Sequence, residues 1–196
     1  EYLKDKNVDY GYYEFKKYVL VTQKNQSEIA VYEKVDNNYK LVSKSSVIVG
    51  ENKGDKYTEG DKKTPEGAYE LVQKRVGLDS FYGPFALVTS YPNIFDQSLD
   101  KKGSGIWIHG MPLYSGRENF TKGCIALNNT ELETLEKSID LNKSVLLTYG
   151  NDFTSDVEVR RSINIGIDRE EMIQNVLNGY GTPAYSGCDK MPWYNE

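Results

Sequence analysis

Short runs of β-branched and aromatic residues, separated by polar turns, dominate this chain from about residue 16 to residue 148. Side chains that branch at Cβ pack well on a pleated sheet and lose rotamer freedom in a helix. This pattern therefore constrains the region to fold mainly as β-sheet, and the first three runs predict a meander. The predicted strands are residues 18–22, 27–32, 39–49, 68–74, 85–89, 105–109 and 144–148.

One segment of this region has a helical pattern instead. Leu132, Leu135 and Ile139 recur at helical spacing between residues 129 and 139, and the acidic residues come early in the segment. This arrangement predicts a short helix, for which we expect Thr130 to be the N-cap. The fold class is thus predicted to be mainly β with a short helix.

Composition and charge exclude several classes of protein. A chain of 196 residues can build one sizeable core. Its formal net charge of -5 comes from interspersed lysines and carboxylates, without the basic stripe of nucleic-acid binders, so nucleic acid is not an expected partner. No apolar run approaches the roughly 18 residues of a membrane span, and no signal segment opens the chain, as expected of a mature or trimmed form.

The only histidine, His109, comes fifteen residues before Cys124. A thiol of ordinary pKa, about 8.5, is only slightly ionised at neutral pH, so a nucleophilic cysteine needs a base or a positive field beside it. A dyad of cysteine and histidine in this chain must therefore use His109. The alternative is that each residue is an ordinary packed side chain, which is the commoner situation.

The sequence around both residues favours chemistry. The apolar run that ends at Ile108 predicts a buried strand, which puts His109 and Gly110 where a strand enters a loop, a common place for functional groups. Gly123 directly precedes Cys124 and allows close backbone approach, so neighbouring N–H groups can converge on one point. We therefore expect Cys124 and His109 to form a catalytic dyad at an exposed site.

No metal or cofactor is expected. A metal site needs several ligands at suitable spacing, and this chain has one histidine and no Cys-x-x-Cys motif. The two cysteines, Cys124 and Cys188, lie far apart in the sequence, so the chain shows no disulfide framework either.

A His-Gly pair at residues 109–110 is followed by Thr-Lys-Gly-Cys at residues 121–124, and Thr-Pro-Glu-Gly precedes both at residues 64–67. These motifs resemble the L,D-transpeptidase catalytic domain, or YkuD domain, whose pattern is Thr-Pro-x-Gly, then His-Gly, then Ser/Thr-x-Gly-Cys. Other segments, such as residues 103–110, are similar to the branch of periplasmic L,D-carboxypeptidases that trim murein stem peptides. The resemblance spans roughly residues 16–150 and implies a YkuD-like β-sandwich or barrel.

The resemblance also implies a mechanism. The Cys124 thiolate would attack an L,D peptide bond in a murein stem, between the L-centre of the diamino acid and the terminal D-Ala. His109 would take the thiol proton and return it to the leaving amine, while the carbonyl of Gly110 orients the imidazole. The backbone N–H groups of Gly123 and Cys124 are the expected oxyanion donors. Water resolving the thioester makes the protein a carboxypeptidase, whereas an amine from a second stem makes it a transpeptidase.

Substrate, reaction and location follow as expectations. Candidate contacts to the carboxylates of peptidoglycan stems are Lys122, Arg117, Tyr82 and Trp107, although each could equally be an ordinary surface group. Many family members carry Arg two residues after the nucleophile, where this chain has Ala126. Losing that guanidinium removes a charged anchor, which favours hydrolysis over crosslinking. Such an enzyme would be exported to the periplasm or cell envelope.

Beyond residue 150 the chain changes character. Residues 152–196 have helical patterns and resemble an internal fragment of the extracellular solute-binding proteins that capture peptides or nickel for ABC transporters. The predicted organisation is a lead-in at residues 1–15, a catalytic domain at 16–151 and this helical segment of different origin. The segment offers a second hypothesis, a peptide or nickel binding module, although the lobes that enclose a ligand in that family are missing.

Overall fold

The computed structural model describes residues 16–36, 38–114 and 119–150. All of these lie in the first of two units into which the chain divides, Glu1–Gly150. The predicted lead-in, the candidate substrate contact Arg117 and the C-terminal segment fall outside the described residues. The domain boundaries and the helices expected after residue 150 therefore stay predictions.

Eight strands and two short helices make up most of the described region. The strands are β1 (Tyr18–Gln23), β2 (Glu28–Val35), β3 (Asn38–Ser46), β4 (Gly67–Val76), β5 (Phe85–Thr89), β6 (Trp107–His109), β7 (Ile125–Ala126) and β8 (Ser144–Tyr149). The helices are α1 (Ile94–Ser98) and α2 (Asn129–Ser138), and single turns of 3-10 helix lie at Ser80–Tyr82 and Leu141–Lys143. The prediction of a mainly β fold is confirmed.

The strands form one sheet in the order β3-β2-β1-β8-β4-β5-β6-β7. β1, β2 and β3 are antiparallel neighbours, which confirms the predicted meander. The pairs β1–β8 and β6–β7 are parallel instead. Beyond β3, Ile48 bridges Ala126 and Gly50 bridges Thr121. The two edges of the sheet therefore meet, and the sheet curls towards a barrel.

An apolar core forms between the sheet and α2. Leu20, Ile108 and Leu146 come from strands across the sheet, and each is at most 1% exposed. Leu132 and Leu135 of α2 join this core, as their helical spacing predicted. Burial of a side chain of this size stabilises a fold by about 1.5–3 kcal/mol, so these two leucines hold α2 against the sheet.

The N-cap of α2 is Asn128, and the prediction of Thr130 was wrong. Asn128 Oδ1 accepts a hydrogen bond from the backbone N–H of Thr130 at 3.0 Å, so Thr130 lies inside the first turn. Asparagine caps a helix at least as well as threonine does. The helix therefore begins at Asn129, directly after its cap Asn128.

Two elements were not predicted. β7 has only two residues, too few for an alternating pattern to show. α1 has five, and its start is fixed by a reciprocal capping box in which Asn93 and Asp96 each accept the other's backbone N–H. The third predicted strand, residues 39–49, also ends early at Ser46. Contacts that a local hydrophobic pattern does not encode decide these cases.

A buried ion network anchors the long loop of residues 51–66. Lys101 Nζ lies 2.6 Å from Asp55 Oδ2 and 2.9 Å from Asp96 Oδ1, and the side chains of Lys101 and Asp96 are each 2% exposed. Loss of Lys101 would leave the buried carboxylate of Asp96 without its counter-charge, which is strongly destabilising. The network therefore ties the loop firmly to α1.

The same loop folds around the carboxylate of Asp61. Lys56 Nζ lies 2.7 Å from Asp61 Oδ1, and the backbone N–H groups of Tyr57, Thr58 and Lys63 also donate to this carboxylate. Burial acts to raise the pKa of Asp61, but these hydrogen bonds outweigh it and lower the pKa to about 2. The loop conformation thus depends on an ionised Asp61.

Candidate active site

Strand register brings the two residues of the expected dyad to one face of the sheet. In the parallel β6–β7 pair, His109 lies opposite Ala126. Two residues back along both strands, Cys124 comes level with Trp107. The Cys124 Sγ–H donates to the carbonyl oxygen of Gly105 at 3.4 Å. Paired residues and alternate residues share a face of a sheet, so Cys124 and His109 face the same way. They are diagonal neighbours, with backbones about 7–8 Å apart.

The turn that carries Cys124 is closed by the hydroxyl of Thr121. Thr121 Oγ1 donates to the carbonyl oxygen of Cys124 at 2.6 Å and accepts the N–H of Gly123 at 3.0 Å. The backbone of Thr121 is held in turn by hydrogen bonds to Val49 and Glu51. Thr121 is 2% exposed, so both side-chain bonds are protected from water. This hydroxyl is a positioning group that the sequence analysis did not single out.

Gly123 fits its place because it has no side chain. Its φ is +134°, and a Cβ there would lie 2.8 Å from the carbonyl oxygen of Lys63. The predicted close approach of backbone at Gly123 is thus confirmed. The approach also sets the anchored loop of residues 51–66 directly against the turn of Cys124. The Gly123 N–H, however, already donates to Thr121, so it braces the turn and is not available as an oxyanion donor in this arrangement.

His109 is fully buried, whereas we had expected an exposed site. The ring of Tyr82 packs edge-on against the imidazole, with ring centroids 5.1 Å apart, and covers it. His109 Nδ1 lies 2.8 Å from the carbonyl oxygen of Gly110. Because a carbonyl oxygen can only accept, Nδ1 must carry the proton, and the neutral ring then has Nε2 as its acceptor. Cys124 is only half-buried, so substrate reaches the thiol more easily than the imidazole.

Asn129, the first residue of α2, holds the loop that follows His109. Its Oδ1 accepts the backbone N–H of Met111 at 2.8 Å. A Cβ on Gly110 would lie 2.2 Å from this oxygen, and a Cβ on Gly83 would lie 2.6 Å from it. The Gly110 N–H donates to the carbonyl oxygen of Tyr82 at 2.9 Å, so the two glycine-containing segments pack as one unit around Asn129. Asn129 was not among the predicted site residues, although its place directly after Asn128 at the start of the helix was a signal.

Two of the four candidate substrate contacts lie with the dyad. Tyr82 and Trp107 are both half-buried, with ring centroids 5.2 Å apart, and form an aromatic wall beside His109. Lys122 is exposed in the turn two residues before Cys124, where solvent screens its charge. Arg117 lies outside the described residues. The structure therefore groups the aromatic candidates with the dyad and leaves Lys122 at the rim.

The described residues, 16–36, 38–114 and 119–150, include neither a metal-binding cluster nor a membrane-spanning helix. There, no three side chains of histidine, cysteine, aspartate or glutamate come together in a way that could hold a metal ion. No helix of this part of the chain has the length and apolar character that crossing a membrane requires.

Comparison with known proteins agrees with these motifs. The family model of the L,D-transpeptidase catalytic domain, YkuD, matches residues 16–147. YafK of Escherichia coli strain K12, a candidate L,D-transpeptidase, is 26% identical over 113 residues, which are 57% of this chain and 43% of YafK.

Two solved structures are similar over most of the chain. The helical cell shape determining protein Pgp2 of Campylobacter jejuni is 40% identical, with a TM-score of 0.67 over 76% of this chain and 52% of Pgp2. Bd1075 of Bdellovibrio bacteriovorus is 25% identical, with a TM-score of 0.58 over 84% of this chain and 60% of Bd1075. The chain thus spans about half the length of these relatives. By its family match over residues 16–147, the chain belongs to the L,D-transpeptidase family, with a YkuD catalytic domain.

Proposed function

We propose that this protein is a cysteine-dependent L,D-carboxypeptidase that removes the terminal D-Ala from tetrapeptide stems of peptidoglycan. The observation that carries the proposal is the shared sheet face of Cys124 and His109, with His109 Nδ1 anchored on the Gly110 carbonyl. That anchor leaves Nε2 as the basic nitrogen of the neutral ring. A base of this kind beside a half-buried thiol is what nucleophilic catalysis by cysteine requires.

The proposed reaction has two halves. His109 Nε2 takes the proton of the Cys124 thiol, and the thiolate attacks the carbonyl carbon of the bond between the diamino acid and D-Ala. As the C–N bond breaks, the imidazolium gives its proton to the leaving amine, and a thioester remains on Cys124. In the second half His109 takes a proton from water, the hydroxide oxygen attacks the thioester, and the thiolate leaves and is reprotonated.

The oxyanion of each tetrahedral intermediate needs N–H donors close to Cys124. We assign this role to the backbone N–H of Cys124 itself. The Gly123 N–H donates to Thr121 Oγ1 and can join only if that bond opens. A single preorganised donor stabilises the oxyanion less than two donors do. Removal of one such donor typically lowers kcat by about 10²–10³.

Hydrolysis is favoured over crosslinking by the residue opposite His109. Ala126 lies on the same face as the dyad, in a position where many family members carry arginine. A methyl group offers no charged anchor for a second stem, so water is the simpler acceptor of the acyl group. Crosslinking by the same thioester is the alternative outcome. Both reactions imply an exported protein that works in the cell envelope.

The test is incubation with purified tetrapeptide and pentapeptide muropeptides, followed by mass detection. We expect loss of D-Ala from the tetrapeptide and formation of tripeptide. Cys124→Ala is the matched inactive control, because it removes the nucleophile and little volume. Tripeptide-linked dimers as the main product would assign the protein to the transpeptidases, and no product of either kind would overturn the proposal.

A further inference from the structure

We propose that Arg75 binds a carboxylate of the substrate that is remote from the bond being cut; this inference rests on the proposed function. Arg75 lies on the face of the sheet that carries the dyad. It pairs with Ala86 across β4–β5, and Ala86 pairs with His109 across β5–β6. Paired residues share a face, so Arg75 and His109 project from the same side.

The guanidinium of Arg75 is held over the aromatic wall. It lies 5.5 Å from the centroid of the Trp107 ring, and its Nε–H donates to Gln73 Oε1 at 3.4 Å. A guanidinium stacked on a ring keeps its edge N–H groups directed outward, where they can grip a planar carboxylate with two hydrogen bonds. The Arg75 cation thus lies close to Trp107, which is level with Cys124 on the neighbouring strand.

Arg75 also differs from the cation beside it in the sequence. Lys74 is on the opposite face, where its Nζ lies 2.9 Å from Glu136 Oε1. Arg75 is exposed, and among the residues that the structure describes no carboxylate forms an ion pair with it. An exposed guanidinium that forms no ion pair with the described residues, on the sheet face of the proposed nucleophile, is suited to an anionic group of the substrate.

Sheet geometry limits which carboxylate can reach Arg75. Strands lie about 4.8 Å apart, and the guanidinium lies 5.5 Å from the ring of Trp107, which is level with Cys124 on the next strand. The guanidinium is therefore on the order of 10 Å from Cys124 Sγ. The attacked carbon lies about 3–3.5 Å from the sulfur. The bound carboxylate must therefore be several bonds from that carbon. The carboxylate of the terminal D-Ala is three bonds away, roughly 4 Å, so it reaches Arg75 only when the attacked carbon lies almost directly between Cys124 Sγ and the guanidinium.

Two carboxylates of the stem have a suitable separation. The distal carboxylate of the diamino acid is six bonds from the attacked carbon, and the carboxylate of the preceding γ-linked D-glutamate is seven bonds away. Extended, these paths span roughly 7–9 Å. Both present the same chemistry to Arg75, so the shared inference is a stem carboxylate six or seven bonds from the cut. Amidation of one or the other tells them apart.

The test compares Arg75→Gln, Arg75→Lys and the matched control Lys74→Gln on three tetrapeptides, one unmodified and one amidated at each of the two carboxylates. Arg75→Gln should raise KM for the unmodified stem about 10- to 100-fold with kcat within about twofold, the effect expected of a lost charged hydrogen-bond pair. Amidation at the recognised carboxylate should raise the KM of the wild-type protein by the same factor. It should not raise the KM of Arg75→Gln any further. Arg75→Lys should recover part of the loss, and Lys74→Gln should behave as wild type.

A binding measurement separates this proposal from the proposed function. Calorimetric titration of Cys124→Ala with the same stems reports recognition without turnover. Binding that depends on one carboxylate and is lost in Cys124→Ala/Arg75→Gln supports the role of Arg75, even if the wild-type protein cleaves none of the stems. Equal affinity with and without Arg75, or an equal loss for all three stems, would overturn it.

Discussion

Replacing Gly110 with alanine tests whether the loop after His109 is packed directly against α2. The added Cβ would lie 2.2 Å from Asn129 Oδ1 and 2.9 Å from Pro84 Cδ, both far inside van der Waals contact. Overpacking of this kind costs about 1–3 kcal/mol. Because the Gly110 carbonyl also holds Nδ1 of His109, we expect Gly110→Ala to lower both the free energy of unfolding and kcat.

A second substitution, Asn129→Ala, measures the contact between Gly110 and Asn129 as a coupling free energy. Asn129→Ala deprives the Met111 N–H of its acceptor, at a cost of about 1–3 kcal/mol. In the double variant the methyl group added at Gly110 fills space that the amide has vacated, so the two losses should not add. We expect the double variant to be at least 1 kcal/mol more stable than the sum of the single losses predicts. Pro84 still crowds the site, so recovery stays incomplete.

The assay is urea unfolding of the four proteins of this cycle, with turnover of tetrapeptide measured on the same samples. Asn128→Ala is the matched control. It removes the helix cap, at a cost of about 1 kcal/mol, but the amide oxygen of Asn128 accepts the Thr130 N–H, so no coupling to Gly110 is expected. If the losses in free energy of unfolding of Gly110→Ala and Asn129→Ala add within about 0.5 kcal/mol in the double variant, the two residues are not packed against each other. A Gly110→Ala variant with normal kcat would refute the link to His109.

Four further outcomes are expected. Cys124→Ala should abolish turnover with little change in thermal unfolding, and residual activity would exclude it as the nucleophile. His109→Ala should also abolish turnover, but it empties a fully buried site, so denaturant unfolding should show a loss of about 2 kcal/mol or more; unchanged stability would contradict that burial. The pKa of Asp61 is about 2 against an ordinary 3.8, so roughly 2 kcal/mol of stability present above about pH 4 should be lost as the pH falls towards 2. Asp61→Asn should flatten this acid limb, and an unchanged limb would count against the assignment. Finally, a chain that ends at Gly150 should keep its activity on muropeptides, whereas loss of turnover would make the remaining residues part of the enzyme.

The strands could be predicted wherever a local pattern is long enough to show. β5 was predicted with its observed bounds because Phe85–Thr89 is an apolar run between Pro84 and polar residues. β7 could not be, because its two residues become a strand only through pairing with β6 and the bridge to Ile48. Elements that are defined by their partners leave little trace in their own sequence.

For the site, the motifs identified the reacting groups but not the groups that hold them. Thr121 and Asn129 act through hydrogen bonds to backbone, which any hydroxyl or amide nearby could in principle have made. The position of His109 at a strand exit suggested exposure, yet the ring of Tyr82, contributed by a separate turn, covers it. Nothing in the residues around Arg75 resembles a motif, and only the register of the sheet places Arg75 on the face of the dyad. Long-range packing decides these features.

The distance between base and nucleophile is set by neighbouring strands and not by the chain that joins them. His109 ends β6, Cys124 precedes β7, and the Leu127 N–H donates to the His109 carbonyl oxygen at 2.9 Å, which fixes the two ends in place. Gly110 at one end of the connection between them, and Thr121 and Gly123 at the other, hold the two residues in place. Changes in the sequence between those two ends need not move the reacting atoms. Selection can thus alter what such an enzyme recognises while its chemistry stays constant.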